Sequence, residues 1–402
     1  MNAHDSLRLH LLAAMGLAGG CAGPDKGEVG PAETGIETAD TSDTAIEQAP
    51  CPDAPRPTTD DLELVAWAED ALWLLCTAPT SGTCPSGADF DAAAYVTENV
   101  GAPPACWSDT WATVVECGPD PAIEDECCYV TQVRQNEDDY CGDGRPFAIQ
   151  GRPRRASATP RAGWTDSRCL PLEHLSDTQR GVLATAWARM GRHEHAAVAS
   201  FSRLNLQLLG LGAPAWLVAA STRAIADEVA HARMCFGIAE AFASTPVGPG
   251  PLDVSGAVVG PPTLADVLVE TMVEGCVTET VSTALAAHAR DQCSVPSIRR
   301  VLDRIVADES RHAADAWRLV QWGLRQQPRL AAHVRRAFDA ALRRPLPDRT
   351  APIDPDLLQT HGILPPAIRA AVTRSVHQQV LRPCMASLFA TLPKEARHAA
   401  QG

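Results

Sequence analysis

Residues 307–313, ADESRHA, and residues 226–232, ADEVAHA, agree at five of seven positions, and each sets a glutamate three places ahead of a histidine. Glu309 and His312 make one pair, Glu228 and His231 the other. On an α-helix a spacing of three puts both side chains on one face, a turn apart. Both pairs lie mid-way along stretches with an apolar helical rhythm. The repeat therefore predicts two helices that each turn one carboxylate and one imidazole toward a shared interior.

Working outward, four long helical patterns emerge. Residues 175–211 run to a break at Gly212, Ala213 and Pro214, with Ser176 or Asp177 as the expected cap. Residues 214–243 follow, Pro214 suiting a first helical turn. A Gly/Pro-rich connection spans 244–262, and the third and fourth patterns cover 263–291 and 295–325 with a short turn between them. Short loops force antiparallel neighbours, and one long crossover completes the layout of a mainly α, antiparallel four-helix bundle over 175–325.

A pair of metal ions in such a bundle takes Glu-x-x-His from two helices and one glutamate from each of the other two. Glu194 is the sole glutamate between Glu173 and Glu228, so it is the candidate on the first helix. The third helix offers Glu270, Glu274 and Glu279. With the second turn near Ser294, Glu309 lies 15 residues beyond it and Glu279 lies 15 before, which favours Glu279. The repeat spacing favours Glu274, because 309 − 274 = 35 resembles 228 − 194 = 34. Both stay open. The expected metal set is thus Glu194, Glu228, His231, Glu279, Glu274, Glu309 and His312. Four carboxylates neutralise two divalent ions and each imidazole adds a neutral nitrogen, a donor set suited to iron.

Chance is the competing explanation, since Glu395 and His398 repeat the pattern near the terminus without any partner helix. Asp227 and Asp308 precede the two glutamates and are candidates to orient the histidines, or else surface acids. His193 and His195 flank Glu194 and are expected at the surface. Cys235, Cys276 and Cys293, like Trp187, Trp216, Trp317 and Trp322, are expected to pack the core.

The rest of the 402-residue chain has a different texture. A formal charge of −15 disfavours a nucleic-acid partner. Nine of the 14 cysteines fall between 51 and 169, with no C-x-x-C and no histidine in the cluster, so residues 51–169 are expected to be a small disulfide-rich module. Nine is odd, so one cysteine is free or pairs outside, with Cys384 a candidate. Within the module, residues 61–75 have a helical rhythm, whereas DECCYVTQV (125–133) and GRPFAIQG (144–151) suit short strands. Residues 22–50 are acidic and poor in large apolar side chains, as in a disordered linker. Residues 1–21 join Arg8, a short apolar run and small residues ending at Cys21, as in a signal peptide with a lipobox-like cysteine for lipidation, although Ala18 stands where a lipobox has Leu. The tail, 326–402, shows one basic helix at 329–344 followed by Pro-punctuated pieces.

On these residues, 175–325 resembles the ferritin-like di-iron carboxylate superfamily of rubrerythrins, ferritins and di-iron oxygenases. ADESRH is also similar to the Asp-Glu-x-Arg-His motif of bacterial di-iron monooxygenases. The order of leader, cysteine-rich segment and bundle is similar to that of exported bacterial ferritin-like domain proteins. The resemblance implies a di-iron centre (manganese or a mixed pair being open) and an oxidoreductase that activates O₂ or peroxide or oxidises Fe(II). It also implies a cell-envelope location through an N-terminal lipid. The alternative is a non-catalytic envelope lipoprotein whose bundle binds metal structurally or serves as scaffold. There is no tyrosine in 175–325 and no rubredoxin-like cysteine set, which disfavours a tyrosyl-radical role and a complete rubrerythrin-type electron path.

Overall fold

The structure, a computed structural model, describes residues 3–15, 54, most of 72–95, 111–119, 126–135, 145–149, 152–166, 169–343 and 354–392. The expected linker at 22–50, Cys21 and the Glu395/His398 copy lie outside the described residues.

The chain is mainly helical with a small strand module. A first helix, α1 (Ala3–Ala14), is followed by β1 (Leu72–Thr77), β2 (Trp111–Cys117), β3 (Cys127–Gln135), β4 (Ala148–Ile149), β5 (Arg152–Pro153) and β6 (Ala158–Thr159). The first three strands form an antiparallel sheet in the order β1-β3-β2. The helical rhythm at 61–75 misleads at its end, because Leu72–Thr77 pairs with β3 as a strand and Cys76 faces Cys128. Partnering overrides the local pattern here. Disulfides join Cys76 to Cys128 and Cys84 to Cys127. Tyr129 is fully buried, stacked on Phe90, and its hydroxyl donates to the Pro85 carbonyl at 2.7 Å. Cys384 is a free, buried thiol and does not pair with the module; Cys169 is also free.

Two long helices follow, α2 (Asp177–Gly210) and α3 (Ala215–Ala243). Ser176 caps α2 through a reciprocal exchange with Gln179, satisfying backbone donors that an open helix end leaves orphaned. After β7 (Gly248–Pro249), which pairs with β6, a third segment runs through α4 (Leu264–Glu270), the wide turns of π1 (Thr271–Glu279) and α5 (Thr280–Gln292). The fourth, α6 (Pro296–Gln326), begins on a proline that needs no partner for its missing N–H. The helix α2 packs along α3, α6 packs along π1 and α5, and α3 meets α6.

The tail supplies α7 (Ala331–Leu342), α8 (Pro355–Thr360), α9 (Pro366–Val376), π2 (His377–Leu381) and α10 (Arg382–Ala390). It is part of the same core as the long helices. Trp187 of α2 is fully buried and donates its indole N–H to the His361 carbonyl at 3.1 Å. Gly362 holds a φ of 79° directly against Ile298 and Leu302 of α6, a place a Cβ could not occupy without displacing both. The first helix belongs to this core too. Leu7, Leu11 and Met15 are at most 8 % exposed, seated against α6, π2 and α10, and Gln321 donates to the Met15 carbonyl at 3.0 Å.

Candidate metal centre

Six of the seven expected side chains meet in the interior between the long helices. Glu194 comes from α2, Glu228 and His231 from α3, Glu279 from the last residue of π1, and Glu309 and His312 from α6. None is more than 6 % exposed. Their ligand atoms fall into two groups, each within 4.8 Å. One comprises Glu194, Glu228, His231 and Glu309, the other Glu228, Glu279, Glu309 and His312. Glu228 and Glu309 belong to both groups and stand where bridging carboxylates would. Glu194 with His231, and Glu279 with His312, stand at the two ends.

Both histidines turn Nδ1 inward. His231 Nδ1 lies 3.3 Å from Glu309, 3.5 Å from Glu228 and 3.7 Å from Glu194. His312 Nδ1 lies 3.1 Å from Glu228 and 3.7 Å from Glu309. The outward Nε2 atoms cross over between the repeats. His231 Nε2 meets Asp308 at 3.2 Å, and His312 Nε2 meets Asp227 at 3.3 Å. Each ADE aspartate thus fixes the ring of the other helix's histidine, which sets the tautomer and leaves Nδ1 as the free donor. Two arginines complete this layer. Arg304 Nε lies 2.5 Å from Asp308, and Arg311 reaches Asp308 at 2.6 Å and Asp227 at 3.0 Å. Both arginines were open to view in the sequence, four residues before Asp308 and three after it, on the same helical face.

Glu274 is placed elsewhere. Its carboxylate takes Arg203 at 3.0 and 3.1 Å, the Ser200 hydroxyl at 3.2 Å, and lies 3.6 Å from Arg145. The repeat spacing that favours it treats both hairpins as equal, whereas π1 intervenes in the second. His193 and His195 are not at the surface. His193 is buried beside Arg155, and burial together with Arg155 and neighbouring arginines holds its pKa well below the usual value. His195 is half-buried, edge-on to Trp164.

The electrostatics divide the six groups. Burial raises Glu194 and Glu279 well above the ordinary carboxylate range, with the charges of their glutamate neighbours adding to it. Burial also acts to raise Glu228 and Glu309, but the two histidines outweigh it for Glu228, and Glu279 followed by the histidines outweighs it for Glu309, so both are held below that range. Burial would lower His231 and His312, yet the surrounding carboxylates drive both well above 6.5. Without metal, two protonated imidazoles would balance the two shared carboxylates, Glu228 and Glu309.

A test of fit is whether the buried polar atoms are satisfied without an ion. They are not. Both oxygens of Glu228, Glu279 and Glu309, one oxygen of Glu194, and Nδ1 of His231 and His312 are buried with no hydrogen-bond partner. Orphaned groups of this kind cost several kcal/mol when buried, and all of them converge on one point. The residues fit a pair of divalent cations. None of the family models, curated proteins or solved structures matches the chain.

Proposed function

We propose that the protein is a ferritin-like di-metal carboxylate protein, an antiparallel four-helix bundle holding two iron ions and acting as an oxidoreductase toward O₂ or peroxide, or as an Fe(II) oxidase. The observation that carries this reading is the sharing of Glu228 and Glu309 by two adjacent four-residue groups, with every inward ligand atom left orphaned. A pair of ferrous ions held there supplies two electrons, enough to take dioxygen to peroxide with two protons. The chain's own part is to keep the donors dry and pre-oriented. Asp227 and Asp308 hold the imidazoles, Arg304 and Arg311 hold the aspartates, and the enclosing helices exclude water.

The proposal extends to place. Residues 1–21 are read as an export leader with Cys21 as the lipid-bearing residue, which would anchor the protein in the cell envelope. Incorporation of labelled fatty acid that is lost in Cys21→Ala tests that part. No helix among the described residues is long and apolar enough to cross a membrane.

The test of function is anaerobic titration with Fe(II) followed by air. Two ions bound per chain, then an oxo-bridged absorption band with uptake of O₂, is the expected result. A protein that binds two ions and consumes neither O₂ nor peroxide has a structural metal pair, and the oxidoreductase reading falls.

A further inference from the structure

A cleft lies between α2, α3 and α6, with His312 in its wall. Its walls are mainly apolar: Leu204, Leu208, Leu217, Ala220, Ala224 and Leu319 supply half of the lining residues. The polar groups that face it are already engaged. The Ser221 hydroxyl donates to the Phe201 carbonyl at 3.1 Å, and Asp315 takes Arg318 at 3.1 Å. Arg145 gives its Nε to Ser200 at 3.0 Å and lies over the Phe201 ring, 4.9 Å from its centroid. Phe201 itself stands edge-on to His312, 5.1 Å between ring centroids. The cleft measures about 350 Å³ with its mouth included. Its enclosed part holds only about one or two water-sized molecules.

These features select among the small molecules that could reach the candidate metal centre. A hydrated metal ion would meet a single carboxylate, Asp315, already paired with Arg318, and would lose its water shell at heavy cost along the leucine walls. Hydrogen peroxide would lose hydrogen bonds that the leucine and alanine side chains do not replace. An apolar diatomic molecule loses neither. Small voids lined by leucine and phenylalanine stay dry and take up apolar guests such as xenon.

We propose that this cleft is the entry path and waiting site for dioxygen, bringing it to His312 at the edge of the centre by a route that peroxide does not use. The inference rests on the di-metal reading, and its test separates the two. Metal-free full-length protein carrying labelled leucine methyls is exposed to dissolved dioxygen, and paramagnetic relaxation is measured at Leu204, Leu208, Leu217 and Leu319. Enhancement several-fold above that at Leu183 and Leu302, which are equally buried in other parts of the core, is expected. It should vanish in Ala224→Phe and, as a milder filling, in Ala220→Leu, with xenon competing for the site in the parent protein. In the same variants, Co(II) affinity should be unchanged while oxidation of loaded Fe(II) by dioxygen slows roughly tenfold and oxidation by added peroxide does not. Relaxation at the four cleft leucines no greater than at Leu183 and Leu302 overturns the path and leaves the metal centre standing. Failure of Co(II) to bind the parent protein overturns the centre instead.

Discussion

At the scale of single residues, the two kinds of glutamate in the centre are not equivalent, and substitutions separate them. Glu194 contributes to one group of ligands, whereas Glu309 contributes to both. Glu194→Ala is expected to lower bound metal from two ions per chain to about one, and Glu309→Ala to abolish binding of both. Elemental analysis of the loaded, desalted variants checks this. Asp308→Asn leaves every inward ligand intact but removes the anion that holds His231 and meets Arg304 and Arg311. Loss of such an outer partner costs about 10–100-fold in metal affinity, measurable by competition with a chelating dye. Glu274 gives the opposite pattern. Its removal strands two buried arginines, and breaking such a pair costs roughly 3–5 kcal/mol. Glu274→Ala should therefore lower the denaturation midpoint sharply while two ions per chain still bind. The sequence could not separate Glu274 from Glu279, because two valid spacing arguments pointed to different residues. It also left open whether Asp227 and Asp308 face water. Only the crossing of the two helices decides that, and no local pattern records a crossing.

At the scale of elements, the four long helices were legible from periodicity, Pro214, the cap at Ser176 and the Gly/Pro-rich connection. Each of those signals is local. What stayed hidden is π1. Its wide turns carry no composition mark, yet Thr278 bonds the Val273 carbonyl five residues back, and Thr280 and Thr283 bond the carbonyls of Cys276 and Glu279. These hydroxyls satisfy acceptors along the altered ladder and steady the turn that ends on Glu279. Interruptions of this wide-turned kind recur at functional sites. Gly275 sits where this stretch presses on α6; an added Cβ would fall 2.7 Å from the Ala316 methyl. Gly237 is tighter still, since a Cβ there would lie 2.1 Å from the backbone oxygen of Asp166, which cannot swing aside. Gly237→Ala is expected to cost about 1–3 kcal/mol, seen as a lowered urea midpoint with metal stoichiometry unchanged. The strand module was read correctly at β3 and wrongly at the end of 61–75, because a half-buried strand and a short amphipathic helix share apolar residues until a partner strand is known.

At the scale of the whole molecule, the centre couples stability to pH in opposite senses with and without metal. In the metal-free protein His231 and His312 are raised above 6.5, so their stabilising contribution is complete below about 6.5 and is lost as pH climbs through the raised values. Glu194 and Glu279, raised above 4.5, act in the same direction. Glu228 and Glu309, held below 4.5, contribute above about 4.5 and fail only in stronger acid. The metal-free chain should therefore be most stable near about pH 4.5, weaken above it as Glu194 and Glu279 oppose ionisation, and weaken faster above about 6.5 as the histidines add to it. Metal must displace the same protons, so its affinity rises with pH and the loaded protein gains where the empty one loses. Thermal melts of both forms from about pH 5 to 9 should cross. That the chain builds a mainly helical core with a small disulfide-bonded module ahead of it was legible from apolar periodicity and the clustering of cysteines. That the tail joins the core was not, since its contacts rest on pieces such as Gly362 and Trp187, 175 residues apart in sequence.

The seat of α1 has a bearing on when, rather than how, this protein matures. Residues 3–15 can be handled as an extended leader only while they are unfolded, yet the folded chain withdraws Leu7, Leu11 and Met15 into its core. If residues 1–21 act as the proposed export leader, export and folding compete for one segment, and whichever finishes first decides the address. On that proposal, a substitution that destabilises the core without touching α1, such as Gly237→Ala, should raise the fraction of chains processed near Cys21. A pulse-chase that follows the shift in mass would show it.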